Sequence, residues 1–223
     1  MEYITSSDFH FKDTAVALGK FEGIHRGHQL LMDEVKKQEL HGLRSVVFTF
    51  DRPTRLTLTG DTEYKQIYTK KERREILEKR GIDILIEHPF TKEFAALTPD
   101  RFIREVLVEK VGAKVIVVGT DFHFGKNRSG SITDLEKLEE ECGYHLIVVE
   151  KLQLNGKDIS STRIRASLEK GAMEEAKALL GRNYSVSGEI LHGNALGRTI
   201  QVPTINQQVP SFKLLPPNGV YVS

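Results

Sequence analysis

The chain has 223 residues, of which 39% are hydrophobic, with 32 Lys and Arg against 31 Asp and Glu and a single cysteine. That is enough sequence for one large domain, or one domain and a smaller one, with a sizeable core. A net charge of +1 excludes the bulk electrostatics of a nucleic-acid or acidic-membrane binder, so any phosphate affinity has to be local.

The lone Cys142 rules out an internal disulfide and fits a reducing cytoplasm. The N-terminus "MEYITSSDFH" lacks the charged-then-apolar signal pattern. No apolar run approaches the roughly 18–20 residues needed to span a bilayer. The expectation is a soluble, cytoplasmic protein with no membrane or nucleic-acid partner.

Short apolar runs alternate with amphipathic helical patterns across residues 14–181. The predicted strands are Ala15–Leu18, Ser45–Phe50, Ile82–Glu87, Lys114–Gly119 and His145–Glu150. Their near-continuous apolar character suits strands buried on both faces of a parallel sheet. Thr69 with Glu72 forms a capping box before "RREILEKRG", which Gly81 ends. Thr98 and Pro99 form an N-cap and N1 pair opening "DRFIREVLVEKVG". Gly143 closes "DLEKLEEECG". The acidic "LEKLEEE" and basic "TKKERRE" stretches are expected to be solvated helix faces. Strand–helix alternation of this length predicts an α/β, Rossmann-like doubly wound parallel sheet, with ligands at the carboxyl ends of the strands.

Near residue 182 the pattern changes. "YSVSGEIL", "TIQVPTI" and "GVYVS" alternate as β-rich sequence with Gly and Pro punctuation. The expected division is residues 1–182 as the α/β domain and 183–223 as an incomplete all-β unit.

Four stretches carry candidate chemistry. "GKFEGIHRGH" (19–28) lies between the first strand and a helix. Gly19 lets backbone approach a ligand and Gly27 leaves space beside the helix. The helix N-terminus offers unpaired N–H groups and a partial positive charge, and His25 and His28 add two side-chain donors. This suits a triphosphate. Two readings compete: ordinary surface histidines after a strand, and a metal pair, for which no second His/Cys cluster supplies the remaining ligands.

In "DISSTRIRASLEKG" (158–171), Ser160, Ser161 and Thr162 are N-cap candidates, with Arg163 and Arg165 in or beside the first turn. Cations there oppose the helix dipole, which points to anion binding, or else to an ordinary cap with arginines facing solvent. "VVGTDFHFGKNRSG" (117–130) leaves the fourth predicted strand; Phe122 and Phe124 either stack on a flat ring or plug into the core. In "HGNALGRTIQVPTIN" (192–206), Gly193 and Gly197 permit tight turns, and Thr204 and Asn206 suit a phosphate or metal-bound water, or else the stretch is simply two strands and a turn.

Taken in order, these stretches resemble the bacterial bifunctional riboflavin kinase/FMN adenylyltransferases, also called FAD synthetases, of the nucleotidyltransferase superfamily. "GKFEGIHRGH" is similar to the family's Gly-x-Phe-Asp-Gly-x-His-x-Gly-His, "VGTDFHFGKNRSG" to its Gly-x-Asp-Phe-x-Phe-Gly loop, and "ISSTRIR" to Ile-Ser-Ser-Thr-x-Ile-Arg. "HGNALGRTIQVPTIN" is similar to the opening of the kinase domain. The resemblance implies transfer of AMP from ATP to FMN, giving FAD and pyrophosphate. His25, His28, Ser161, Thr162 and Arg165 would hold the ATP phosphates, with Arg163 nearby. Gly19, Phe21, Glu22 and Gly27 would line the nucleotide. Asp121, Phe122, Phe124 and Asn127 would take the flavin side, with Arg52 a further phosphate contact. Mg²⁺ would arrive with ATP, and Thr204 and Asn206 match the kinase's Mg²⁺–nucleotide motif.

Three departures stand out. Glu22 occupies a position that is Asp in the family, and "TFDRPTRL" (49–56) lacks the family's His-Pro. The sequence ends at Ser223, ahead of the family's catalytic Glu, so kinase activity is expected to be lost or incomplete. Two other readings remain open: another nucleotidyltransferase with a different acceptor, and a catalytically silent flavin- or nucleotide-binding regulator.

Overall fold

A computed structural model describes residues 1–53, 60–61, 63–192 and 204–221. Six strands form one parallel sheet: β1 (Glu2–Ile4), β2 (Thr14–Leu18), β3 (Arg44–Phe50), β4 (Ile84–His88), β5 (Ala113–Gly119) and β6 (His145–Val149). Their order is β1-β4-β3-β2-β5-β6, with every neighbour parallel. The five expected strands are all present within one or two residues. β1 was not anticipated, because three residues are too few to show a period.

The doubly wound reading is correct. Val16, Leu18, Val46, Phe48, Ile84 and Ile116 belong to one core with Phe102, Ile103, Val106 and Leu107. The alternate residues Ala15, Ala17, Val47, Leu85 and Val117 pack instead with Leu31, Met32, Val35 and Leu77. Successive strand residues point to opposite faces, so an unbroken apolar strand buries both. Each of these side chains from Val upward in size contributes about 1.5–3 kcal/mol of burial.

The helices follow their caps. α1 (Arg26–Lys37) buries Leu31, Met32 and Val35, one stripe of a 3.6-residue period. α2 (Lys70–Lys79) starts at the complete Thr69–Glu72 capping box. After the single turn α3 (Lys92–Ala95), α4 (Pro99–Arg101) opens at Thr98 with proline in its first turn. It continues as a π-helix, Phe102–Lys110, in place of the expected α-helix. The wider turn still lays Phe102, Ile103, Val106 and Leu107 on the sheet. α5 (Ile132–Cys142) ends at Gly143, whose φ of 68° is the left-handed cap. α6 (Ser161–Glu169) and α7 (Met173–Leu180) form a pair that shares a third core with Ile67, Tyr68 and Leu214.

The basic "TKKERRE" stretch is not simply a solvated face. Glu72 is buried, and Arg73 and Arg74 both pair with the fully buried Glu87 on β4. The structure describes the β-rich tail only in part. Among the described residues it holds one antiparallel pairing, Glu189–Leu191 with Asn206–Gln208, and no strand in the described part of "GVYVS". Gly193, Gly197 and most of "TIQVPTI" lie outside the described residues.

Candidate active site

The sheet order locates the site. From β2 the chain steps to β3 and β4 on one side, then crosses to β5 on the other. A crevice opens where the winding reverses, at the carboxyl ends of β2 and β5. The loops leaving these two strands are residues 19–25 and 120–131, which overlap two of the four stretches singled out by sequence.

The first loop is held under strain. Phe21 and Ile24 adopt φ of 44° and 41°, and both are fully buried. A bulky or β-branched residue in that region costs on the order of 1–3 kcal/mol, which surrounding packing has to offset. A Cβ on Gly19 would lie 3.0 Å from the Phe21 ring, so that ring closes down on bare backbone. The far side is tied to α7. Gln29 Nε2 donates to the carbonyls of Ile24 (2.9 Å) and Leu180 (2.8 Å). Arg182 donates to the carbonyls of Gly23 (2.9 Å) and Ile24 (2.8 Å).

His25 is the N-cap of α1. Its Nδ1 accepts from the His28 N–H at 3.2 Å, which leaves Nε2–H as its donor. The His25 and His28 rings stack at 3.6 Å and 15°, and Phe21 meets His28 edge-on at 5.1 Å. His28 Nδ1 is buried without a hydrogen-bond partner among the described residues. Burial, reinforced by the Arg182 charge, pushes the His25 pKa down to about 4. Burial, with His25 and Arg182 beside it, holds His28 well below the usual imidazole range. The pair is therefore neutral at pH 7 and offers N–H donors rather than two positive charges.

The opposing wall starts at α6. Ser160 is its N-cap, accepting from the Arg163 N–H at 3.2 Å. A Cβ built on Gly23 would lie 3.7 Å from Ser161 Oγ and 3.5 Å from Ile164 Cδ1. The helix start and the histidine loop are thus in contact. Arg165 pairs with Glu22 and lies 4.1 Å over the Tyr64 ring. Glu22 also accepts from the Tyr64 hydroxyl at 2.7 Å and the Ile67 N–H at 3.3 Å. Glu22, Phe50, Asp51, Arg52, Tyr64 and Arg73 line a common hollow.

With this geometry in place, the comparisons are decisive. A family model described as FAD synthetase matches residues 8–163, and one described as riboflavin kinase matches 180–223. A bifunctional riboflavin kinase/FMN adenylyltransferase of Listeria monocytogenes is 34% identical over 220 residues, covering 98% of this chain and 69% of that protein. The chain belongs to this family. The Bacillus subtilis member is 35% identical over 93% of the chain and 66% of its own length. This chain therefore spans about two thirds of the length of such relatives. A Streptococcus pneumoniae crystal structure described as a macrolide-efflux protein superposes with a TM-score of 0.87 at 31% identity, over 99% of this chain and 73% of that one. Among the described residues no helix is long and apolar enough to cross a membrane.

For this bifunctional family member, the expectation that kinase activity is lost gains no support, since kinase-family sequence is present at 180–223. Several site expectations also change. Arg163 is turned away from the crevice: it donates to Glu175 Oε1 at 2.9 Å and to the Leu154 carbonyl at 2.9 Å. It fastens α6 to α7 and to the β7–β8 hairpin (Gln153–Leu154 with Lys157–Asp158). Phe124 is core, 7% exposed, packed on Phe102 at 5.3 Å. Phe122 stacks on Phe124 at 5.5 Å and is only partly buried, so it alone keeps surface for a ring. Asp121 is exposed and pairs with Lys151 at 3.1 Å. Asn127 is exposed with φ of 55°. Arg52 is exposed and pairs with Asp51 at 3.1 Å. Thr162, Thr204 and Asn206 are exposed.

Sequence reasoning missed Tyr64, Ile67 and Arg182. None sits in a motif; each was found through its partner, Glu22 or the loop carbonyls. Glu22, expected along the nucleotide and standing where the family has Asp, accepts from three donors, Tyr64, Ile67 and Arg165.

Proposed function

We propose that this chain transfers AMP from ATP to FMN. A phosphate oxygen of FMN attacks the α-phosphorus in line, the bond to the bridging oxygen breaks, and pyrophosphate leaves. No protein nucleophile is required, so catalysis is positioning and charge stabilisation. The observation that carries this reading is the neutral His25–His28 pair at the N-terminus of α1, set at the sheet's switch point. The unbonded His28 Nδ1 suits a ligand oxygen. Ser161, Thr162 and Arg165 would close over the triphosphate from α6, with Glu22 giving up part of its hold on Arg165 as phosphate arrives.

Gly19, Phe21 and Gly27 would shape the nucleotide side. Phe122, Asp121, Asn127 and Arg52 would contact FMN. Mg²⁺ would arrive with ATP, held by its phosphates and water, and would neutralise phosphate charge. In the kinase-family unit, taken as 183–223, Thr204 and Asn206 would meet the Mg²⁺–nucleotide of riboflavin phosphorylation. The cytoplasm supplies both substrates.

The test is incubation with FMN, ATP and Mg²⁺, with flavins resolved by chromatography under oxidised and reduced conditions. FAD is expected; no FAD under either condition would refute the reading. Riboflavin run in parallel reads the kinase half.

A further inference from the structure

The C-terminal segment meets the candidate site most directly at Ile67. Its N–H donates to Glu22 Oε1 at 3.3 Å. Its carbonyl accepts from Lys213 Nζ at 2.8 Å and from the Tyr184 hydroxyl at 2.8 Å. Lys213 is 3% exposed and also donates to Glu72 Oε2 at 2.6 Å and the Ser185 carbonyl at 3.0 Å. Its three ammonium donors are thus all used. The rings of Tyr68 and Tyr184 lie 4.6 and 4.5 Å from the charge.

Backbone pairing reinforces the contact. The Gln66 N–H donates to the Phe212 carbonyl at 2.6 Å, and the Leu214 N–H to the Gln66 carbonyl at 2.8 Å. Lys65 Nζ, at the surface, donates to the Ser211 carbonyl at 2.8 Å. A lysine buried this deeply persists only because partners converge on it. The segment it fastens, residues 64–68, supplies Tyr64 and Ile67, two of the three donors on Glu22. The third is Arg165.

We propose that Lys213 is a positioning residue for adenylyl transfer: it fixes Ile67 and, through it, the Glu22–Arg165 pair on the wall facing the histidines. The inference rests on the adenylyl-transfer reading. Lys213 lies in the stretch matched by the riboflavin kinase model. Sequence of one family unit therefore sets the ATP-facing wall of the other.

The test compares wild type with K213M, E22Q, the double variant and K65M, measuring ATP Kd by calorimetry and FAD formation by steady-state kinetics. K213M is expected to raise ATP Kd and KM about fivefold or more, with kcat changing less than about twofold. Because both residues act on one link, the double variant should be no worse than the worse single one. K65M, at an exposed position, relaxes the same segment and is expected to raise ATP Kd about twofold; it decides the matter if K213M does not fold. The proposal is overturned if K213M binds ATP like wild type, if the K213M and E22Q effects multiply, or if K65M leaves Kd unchanged when K213M cannot be made. Should wild type bind ATP but form no FAD, adenylyl transfer is wrong while the Kd series still judges the latch. Should wild type bind no ATP, both fall.

Discussion

Replacing His25 with Asn isolates the cost of keeping the imidazole stack neutral. Asn is a good N-cap and can accept from the His28 N–H as His25 Nδ1 does at 3.2 Å, but it does not titrate. In the folded chain His25 accepts a proton only near pH 4, against 6.5 for the ordinary group. The unfolded chain therefore binds this proton first as pH falls. The stabilisation is fully present above pH 6.5 and is lost on the way down to about 4. At about 1.4 kcal/mol per pH unit, wild type loses about 2 kcal/mol by pH 5 and about 3 kcal/mol by pH 4 from this group alone. Urea unfolding of both proteins at pH 7, 5 and 4 measures it, because the carboxylates titrating in the same range are common to both and cancel. H25N is expected to lose about 3 kcal/mol less than wild type between pH 7 and 4. Equal losses in the two proteins would show that His25 is not held neutral by burial and would refute this account of the pair.

Other substitutions separate site from scaffold. H28A is expected to lower FAD turnover at least about tenfold, about 1.4 kcal/mol of transition-state stabilisation, read by steady-state kinetics; unchanged kinetics would remove His28 from the reaction. R163M is expected to lower unfolding free energy by about 0.5–1.5 kcal/mol, because it removes the bonds to Glu175 Oε1 and to two carbonyls while Ser167 still holds Glu175, with the KM for ATP unchanged. F124A is expected to cost about 3–5 kcal/mol in urea unfolding as a cavity at a buried ring; a loss below about 1 kcal/mol would place Phe124 at the surface after all.

The sheet was legible because its strands are buried on both faces. An unbroken run such as "SVVFTF" has few alternatives at that length. The Thr69–Glu72 box was legible for a different reason, since both of its hydrogen bonds are local. The histidine motif carried its own position, at a strand end and a helix start. What could not be read depends on partners distant in sequence. Arg163 looks like an anion ligand beside a helix start until Glu175, twelve residues on, is seen to hold it. Phe122 and Phe124 look alike in the sequence, and only the Phe102 ring decides which is buried. Glu22 looks like a conservative change from Asp, yet its role follows from Tyr64, Ile67 and Arg165, the last 143 residues away. Arg73 and Arg74 read as solvated charge because Glu87 is hidden inside an apolar strand.

The most direct measurement follows the label of ATP. With FMN and Mg²⁺ present, ATP labelled at the α-phosphorus is expected to deliver its label into FAD, while label at the γ-phosphorus appears in pyrophosphate. Label at the γ-position entering a flavin product from FMN, or α-label remaining entirely in ATP, would contradict adenylyl transfer at this site.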